Sequence, residues 1–283
     1  MLECLPDIAL QDEDHRALAA ACEPGVGLCT IVGIEGSFSR RLGAQLAITL
    51  DGQTIGSLAD GCLEAQLAAD MSELSAPRVI RYGAGSDTID FRLPCGGGLD
   101  IQLDPSPNKA ACRRTRAQLA RRKPAKLALA PNDYLTMRAY IPSLHIVAFG
   151  EGPELVHLRQ LAKAMPIDLD TYDKSRLSLG KPVAGCRMDR WSAALFLFHD
   201  HEWELPLLEQ ALRTEAFFIG AQGGENARIA RSLGLIARGV SEEAIARIES
   251  PVGLISSCKS PSTLALSALA QIVGAYEAMR AAA

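Results

Sequence analysis

Three short stretches in the first hundred residues place small residues beside a reactive or charged group. They are Glu35-Gly-Ser-Phe-Ser-Arg-Arg-Leu-Gly-Ala-Gln45, Gly61-Cys-Leu-Glu64 and Pro94-Cys-Gly-Gly-Gly98. Glycine lets the backbone approach a ligand closely, a cysteine thiolate is a soft metal ligand, and an arginine guanidinium is a planar donor suited to anions. Together the stretches indicate a ligand site.

Cys62 stands where a helix is predicted to begin, over Cys62 to Leu74. The positive end of the helix dipole, with Arg40 or Arg41 nearby, would lower the pKa of this thiol and favour the thiolate, which suits a metal or sulfur ligand. The alternative is a small buried hydrophobic residue, as free cysteine usually is. Glu64, in the first turn, is more often a surface acid that compensates the dipole, and only its place in the motif makes it a candidate.

Cys95 precedes three glycines, whose flexible backbone could wrap an anionic ligand with amide donors. A tight turn between strands explains the glycines equally well, but it does not explain the cysteine. In the first stretch Ser37, Arg40 and Gln45 carry donors for a phosphate or oxo group. For the arginines, a solvated pair on a loop is the alternative.

The second half of the chain contains an altered dinucleotide fingerprint, Gly150-Glu-Gly-Pro-Glu-Leu155. Gly150 and Gly152 are kept, but Leu155 replaces the third glycine, Pro153 has no N–H to donate, and the two glutamates repel phosphate. Asp173 follows Gly150 at the spacing of the acid that binds a ribose hydroxyl. We favour a Rossmann fold retained as a scaffold over one that binds NAD(P).

His199-Asp200-His201-Glu202 follows a predicted strand, at the edge where doubly wound sheets bind ligands. Strand alternation would place His199 and His201 on one side, as a metal-binding or proton-transfer pair. A capping cluster that orients the next helix is an equally good interpretation.

The elements that position these residues fall into two groups. A helix within residues 7–22 and strands at 27–33, 44–50, 54–58, 78–82, 88–93 and 99–103 predict a small α+β domain over residues 1–104, with antiparallel pairing among its first three strands. Prolines around an arginine-rich helix indicate a linker over 105–143. After residue 144, strands alternate with helices, which predicts an α/β, Rossmann-like domain with a doubly wound parallel sheet to residue 283.

Composition excludes several classes of protein. With 283 residues, 48% hydrophobic and 22% charged, and a net charge of −4, the chain suits two ordinary globular domains. The chain has no excess of basic residues that would indicate nucleic-acid binding, and no apolar run has the length of a membrane helix.

The start of the chain lacks a secretory pattern, so we expect a cytoplasmic protein. Its eight cysteines contain no Cys-x-x-Cys pair, and in a reducing compartment most of them should be free thiols.

The order of these motifs resembles the XdhC/CoxI family, the maturation factors of xanthine and carbon monoxide dehydrogenases. The resemblance spans residues 25 to 276. Besides the motifs already described, it includes Phe218-Ile-Gly-Ala221, Pro251-Val-Gly-Leu254 and a final helix that begins at Pro261. The chain departs from the family at Phe38 and Ser39, where a hydroxyl residue and a proline are common, at Gly224, where a serine is common, and at Ser256-Ser-Cys-Lys259.

The resemblance implies a factor that binds molybdenum cofactor, supports its sulfuration by a cysteine desulfurase, and delivers it to a xanthine dehydrogenase-type molybdenum hydroxylase. It implies that Cys62 and Cys95 face one pocket, with Cys62 as the first and Cys95 as the second molybdenum ligand and with Arg40 and Arg41 as anion donors. We also expect a cleft between the two domains. The resemblance implies a chaperone rather than a turnover enzyme, and no complete catalytic motif is found in the sequence.

Two other functions stay open at this point. One is an NAD(P)-dependent oxidoreductase, which the Rossmann pattern suggests and the altered fingerprint opposes. The other is a ligand-free interaction scaffold that binds only its client enzyme. The apolar final helix, expected over Ser262 to Tyr276, favours a homodimer in either case.

Overall fold

The computed structural model describes residues 12–59, 61–86, 96–165 and 167–282. The chain divides into two compact units, Met1–Pro142 and Ser143–Ala283. Within the described ranges, no helix combines the length and hydropathy that a membrane span requires.

The first unit is built on an antiparallel sheet. Its elements are α1 (Glu13–Ala20), β1 (Gly27–Glu35), β2 (Gln45–Ile48), β3 (Thr54–Gly56), α2 (Cys62–Ser72), β4 (Arg78–Gly83), β5 (Gly98–Asp104), α3 (Lys109–Ala120), β6 (Ala125–Ala128) and β7 (Met137–Tyr140). Five strands pair in the order β3-β2-β1-β5-β4, and every pair is antiparallel. The ends of β1 and β5 meet where Glu35 pairs with Gly98.

The two faces of this sheet are covered by different elements. Helix α2 packs on one face, where Leu63, Leu67 and Met71 join Ile31 and Ile101 in a buried cluster. The opposite face is covered by α1, α3 and the β6–β7 hairpin. Their buried residues are Ala17, Leu18, Cys112, Leu119, Leu127 and Tyr140. Side chains that alternate along β1 and β2 supply both layers.

The linker expected over residues 105–143 is not found, because residues 105–142 belong to the first unit. Cys112 and Leu119 of α3 and Leu127 and Tyr140 of the hairpin are at most 5% exposed. The prolines that suggested a linker flank these short elements, whose burial depends on the sheet beneath them. The strand expected at 88–93 lies outside the described residues.

The second unit is an α/β domain. Its elements are β8 (His145–Gly150), α4 (Pro153–Ala164), β9 (Asp168–Tyr172), β10 (Ser192–Leu197), α5 (His201–Leu212), β11 (Phe218–Ala221), α6 (Glu225–Ala237), α7 (Glu242–Ile245), β12 (Ile248–Glu249) and α8 (Pro261–Ala281). The sheet order is β12-β11-β10-β8-β9, and every pair is parallel. The parallel sheet predicted from the alternation of strands and helices is confirmed.

Helices cover both faces of the parallel sheet. Helix α4 packs against α8, and α5 packs against α6. Phe149 of β8 stacks on Tyr172 of β9 and Phe196 of β10, with ring centroids 5.4 Å and 5.0 Å apart. In this strand order the direction of winding reverses between β8 and β10, and the carboxyl ends of those two strands form the crevice where such sheets bind ligands.

Candidate functional site

The loop before α2 is held by the carboxylate of Glu64. Oε1 of Glu64 accepts hydrogen bonds from the backbone N–H groups of Leu58 at 2.9 Å and Ala59 at 2.6 Å, and Oε2 accepts one from Gly61 at 2.8 Å. The residue is 7% exposed. It was expected to be a surface acid or a site residue, and the structure shows a buried clamp that fixes the backbone next to Cys62.

The environment of Glu64 favours its charged form. Burial by itself would raise the pKa of this carboxyl group, but the hydrogen bonds from the backbone of Ala59, Leu58 and Gly61 outweigh it, and the net effect lowers the pKa. The clamp is therefore a carboxylate at neutral pH.

Arg40 holds the other end of the same loop. Its Nε donates to the carbonyl oxygen of Ser57 at 3.2 Å, and its Nη2 donates to the Ser57 hydroxyl at 3.0 Å. The Arg40 side chain keeps 34% exposure, and its Nη2 lies 3.9 Å from a carboxylate oxygen of Glu13. Arg40 and Glu64 thus fix residues 57–59 and 61 from two sides, and part of the Arg40 guanidinium faces solvent.

Cys62 is the first residue of α2, and its side chain is exposed. Among the other cysteines in the described ranges, Cys22, Cys29 and Cys112 are buried, and Cys186 and Cys258 are partly buried. Burial raises the pKa of Cys112 and of Cys186 to about 11, so both are thiols at neutral pH. Of the six cysteines in the described ranges, the one at the helix start predicted from the sequence is the one classed as exposed.

Arg41 and Gln45 make structural contacts with Asp14 of α1. Nη2 of Arg41 donates to Asp14 Oδ2 at 2.5 Å, and the backbone N–H of Gln45 donates to Asp14 Oδ1 at 2.9 Å. The Gln45 side chain is fully buried, donates to Thr30 Oγ1 at 3.0 Å and accepts from the Tyr140 hydroxyl. Gln45, predicted as an anion donor, instead ties β2 to the α1 side of the sheet.

The Gly96-Gly97 turn lies against the first motif. A Cβ on Gly97 would stand 2.5 Å from the carbonyl oxygen of Glu35, so only glycine allows the two backbones to approach so closely. Ser37 is exposed beside this contact. Cys95 lies outside the described residues, and its pairing with Cys62 stays a prediction.

Gly150 lies at the crevice of the second unit. A Cβ at this position would stand 2.7 Å from Leu197 Cβ and 2.9 Å from the Leu197 carbonyl, so glycine is required for β8 and β10 to meet. Gly152 caps α4 with φ 85°, followed by Pro153. Leu155, in place of the third glycine, is 2% exposed and packs in the core.

Charged side chains fill the mouth of this crevice. Nζ of Lys174 lies 2.8 Å from Glu151 Oε1 and 3.7 Å from Asp200 Oδ2, so it bridges the loops after β8 and β10. The hydrogen bond to Glu151 is the main reason that the pKa of Lys174 is raised. Two carboxylates and one ammonium thus stand at the carboxyl ends of β8 and β10.

Asp173 is already engaged by neighbouring groups. Its Oδ1 accepts hydrogen bonds from the Ser175 hydroxyl and from the Ser175 N–H at 3.1 Å, and its Oδ2 lies 3.5 Å from Arg159 Nη2. The Ser175 hydroxyl is the main cause of the lowered pKa of this carboxyl group. Ribose would have to displace these contacts.

His199 and His201 have separate partners. His199 is exposed, and its Nε2 lies 3.3 Å from the Gln222 amide nitrogen. His201 is the first residue of α5, and its Nδ1 lies 3.0 Å from Glu204 Oε2. Within the described residues no cluster of three His, Cys, Asp or Glu side chains could hold a metal ion.

Comparison with known proteins identifies the family. The sequence profile of the XdhC and CoxI family matches residues 19–83, and that of the XdhC Rossmann domain matches residues 146–272. The chain is 30% identical to the molybdenum cofactor insertion chaperone PaoD of Escherichia coli, over 94% of this chain and 90% of PaoD. The chain belongs to the XdhC and CoxI family.

A solved crystal structure shares the fold of this chain. The structure of a Bacillus halodurans protein described as a xanthine dehydrogenase superposes with a TM-score of 0.70 and covers 96% of each chain, at 19% identity. At that identity the likeness supports the fold alone. Both units of the family fold are therefore represented in the described residues.

Two departures from the XdhC pattern have a structural outcome. Phe38 is partly buried and packs against the cluster beneath α2, so it anchors the loop through apolar contact. Gly224 is the N-cap of α6 and makes no side-chain cap hydrogen bond. The start of α6 is thus left without the hydroxyl cap that a serine would supply.

Several interacting residues were missed in the sequence. Arg231, 2% exposed, pairs with Glu204 and donates to the Ser250 hydroxyl at 2.8 Å and to the Gln222 carbonyl oxygen at 2.7 Å. The His-x-x-Glu spacing of His201 and Glu204 could have pointed to Glu204, and Gln222 directly follows a strand. Nothing in the sequence pattern distinguishes Arg231 from a surface arginine.

Proposed function

We propose that this chain is a molybdenum-cofactor insertion chaperone, which holds the cofactor as cargo and passes it to a molybdoenzyme client. PaoD, which is similar over nearly the whole chain, is named for that activity. The observation that carries the proposal is the exposed Cys62 thiol at the start of α2, on a loop clamped by Glu64.

The donor set around Cys62 fits such a cargo. A thiolate is a soft ligand of the kind that suits molybdenum and its sulfur ligands. The exposed part of Arg40 supplies a guanidinium for the phosphate of the cofactor. Glu64 acts through the backbone, since its carboxylate fixes the loop and is itself buried.

The finer steps belong to the same proposal. Sulfuration requires a cysteine desulfurase as sulfur donor, and a client of the xanthine dehydrogenase type would receive the sulfurated cofactor. An exposed thiol can shield the terminal sulfur until the client binds. We infer a cytoplasmic site for this transfer and a homodimer as the working form, which light scattering after gel filtration measures.

The second unit gives no support to a dinucleotide-dependent oxidoreductase. Lys174 pairs with Glu151 and Asp200 at the crevice, and Asp173 is bound by Ser175 and Arg159. Adding NAD(P) would bring phosphate next to two carboxylates. We therefore propose that the Rossmann unit acts as a scaffold and ligand platform.

Anaerobic loading with molybdenum cofactor tests the proposal. The purified protein is incubated with cofactor, separated by gel filtration and assayed for pterin fluorescence in the protein peak. Cys62→Ser should lose retained pterin, while Cys258→Ser, the matched control at a partly buried thiol, should retain it. If Cys62→Ser holds as much pterin as the wild type, the thiol is not the ligand and the proposal fails as stated.

A further inference from the structure

Helix α3 and the turn after it form a basic surface on the first unit. Residues 105–132 contain eight lysines and arginines and no aspartate or glutamate. Four of the basic residues are exposed on α3 and in the turn that follows it, and they are Arg113, Arg114, Arg121 and Lys123. Because Arg114 and Arg121 are seven residues apart, close to two helical turns, they lie on the same outward side of α3. We call these four residues the α3 basic surface.

The positive charges weaken the helix that carries them. Lys109 and Arg113 are four residues apart, and Arg113 and Arg116 are three apart, so like charges stand next to each other along α3. Lys109 is also the first residue of the helix, where the dipole disfavours a cation, and the first turn contains no acidic residue to offset it. Helix stability therefore does not explain why so many cations are placed in this segment.

The turn after α3 carries an arginine where the backbone favours glycine. The N–H of Arg122 donates to the Leu119 carbonyl oxygen at 2.8 Å, and the N–H of Lys123 donates to the Gln118 carbonyl oxygen at 3.0 Å, which is the Schellman pattern of a helix end. Arg122 takes the left-handed conformation of this pattern, with φ 54°, which glycine adopts without steric cost. The basic charge of the segment thus extends to a position that opposes a side chain.

The exposed charges have no counter-ions among the residues that the structure describes. The side chains of Arg114, Arg121 and Lys123 form neither an ion pair nor a hydrogen bond within those ranges. By contrast, the exposed Arg228 of the second unit pairs with Glu225 at 2.6 Å. Residues that break local rules of stability without a compensating contact are expected at functional surfaces. A surface of this kind is complementary to carboxylates of another molecule.

We propose that the α3 basic surface is a docking site for an acidic face of a partner protein. Guanidinium groups pair with carboxylates through two parallel hydrogen bonds, and complementary charges steer two proteins together and fix their orientation. Nucleic acid and anionic membranes are extended polyanions that also meet the rest of the chain. Without the eight residues of this segment the 29 basic residues of the chain fall to 21, against 33 acidic ones, so that remainder repels a polyanion. A compact acidic patch on a globular protein contacts the basic surface alone.

This docking site goes beyond the proposed chaperone function. Helix α3 covers the opposite face of the antiparallel sheet from α2, so the α3 basic surface and Cys62 are on different sides of the first unit. No cofactor takes part in the contact. A failure of cofactor retention at Cys62 therefore leaves this proposal untouched, and the reverse also holds.

Fluorescence anisotropy with labelled deca-glutamate tests the docking site on the purified chain. The wild type should bind the peptide at about 20 mM salt and bind it less tightly at about 150 mM, because salt screens exposed charges over that range. The triple variant Arg114→Gln, Arg121→Gln and Lys123→Gln should weaken binding about tenfold, since three exposed pairs with the peptide are lost. Arg114→Gln alone, in the middle of α3, should weaken it about twofold and keeps the test decisive if the triple variant folds poorly.

A matched control removes three charges from the second unit. Lys163→Gln, Lys181→Gln and Arg187→Gln combined change three exposed residues and give the same net charge as the triple variant, so this protein should bind as the wild type does. Duplex DNA and phosphatidylserine vesicles under the same conditions probe the other classes of partner. The proposal is overturned if the peptide does not bind the wild type, if the control loses as much affinity as the triple variant, or if DNA or vesicles bind more tightly than the peptide. It is also overturned if Arg114→Gln melts well below the wild type, because the charge would then support the fold.

Discussion

Arg231 donates from Nε and Nη2 to the two carboxylate oxygens of Glu204, and each of these hydrogen bonds measures 3.0 Å. The two residues are 2% and 0% exposed. Removing one partner from a buried ion pair leaves an uncompensated charge. The pair therefore fixes α5 to α6 at a point next to the carboxyl edge of the sheet.

Arg231→Met should lower the free energy of unfolding by about 3–5 kcal/mol because the buried Glu204 carboxylate then loses its guanidinium partner and keeps the contact with His201. Urea unfolding followed by circular dichroism measures the change. Arg228→Met, which breaks an exposed pair with Glu225, should leave the free energy of unfolding nearly unchanged, because solvent screens that pair. Equal losses in the two variants would contradict the buried pair's role.

Glu64→Gln should destabilise the first unit by about 1–3 kcal/mol, since one amide cannot accept all three backbone hydrogen bonds at Leu58, Ala59 and Gly61. The same variant should weaken cofactor retention, because the backbone that carries Cys62 loosens. Glu73→Gln, at an exposed glutamate at the other end of α2, is the control for both measurements. A Glu64→Gln protein as stable as the wild type would refute the clamp.

The pH dependence of this effect has a definite sign. The pKa of Glu64 is lowered in the folded state below its unfolded value of about 4.3. Its contribution is therefore complete above that value and is lost as the pH falls through the folded-state pKa. The difference in unfolding free energy between wild type and Glu64→Gln should be constant near neutral pH and shrink on acidification below about pH 4. A difference that does not change with pH would show that the charge of Glu64 is irrelevant.

Gly150→Ala should cost about 1–3 kcal/mol because the new methyl group would overlap Leu197, and β8 and β10 would have to separate. Thermal unfolding of the variant measures it. Gly274→Ala, inside α8 with open space around the added carbon, should stabilise by up to about 1 kcal/mol. Equal stability of the two variants would show that the strands at the crevice tolerate a side chain.

Gln45→Leu should lower stability by about 1–3 kcal/mol and leave cofactor retention unchanged. The substitution removes the partners of the Thr30 and Tyr140 hydroxyls inside the core. Denaturant unfolding and the pterin assay are run on the same sample. Loss of pterin at unchanged stability would restore Gln45 to the cofactor site.

The parallel sheet and the start of α2 could be predicted because both rest on local patterns. Strands that alternate with helices after residue 144 and an apolar repeat after Gly61 are visible within short windows. The prediction of a linker at 105–143 was wrong because the positions of the elements in this range depend on contacts that no short window of sequence contains. Its helix and hairpin are short, and their burial is decided by contacts with α1 and the sheet, far away in the chain.

In the candidate site, the position of the exposed thiol could be predicted from the same kind of local pattern. Cys62 is exposed at the helix start where the motif places it. Arg41 and Gln45 changed role because their partners Asp14 and Tyr140 lie 27 to 95 residues away in the sequence. The backbone partners of Glu64 lie within six residues of it, but the motif does not show that its carboxylate binds them. Motif spacing identifies which residues gather near a loop, but it does not show which of them are already bound to the protein itself.

Lys174 gives the crevice of the second unit a counter-ion of its own. Lys174 lies two residues after β9, so the chain holds its ammonium close to Glu151 and Asp200. The effective concentration of the ammonium beside these carboxylates is constant, of millimolar order or above for such a short link. A diffusing cation must compete with it, and a diffusing anion must first separate it from its carboxylates. Any charged ligand that enters the crevice therefore exchanges one ionic partner for another.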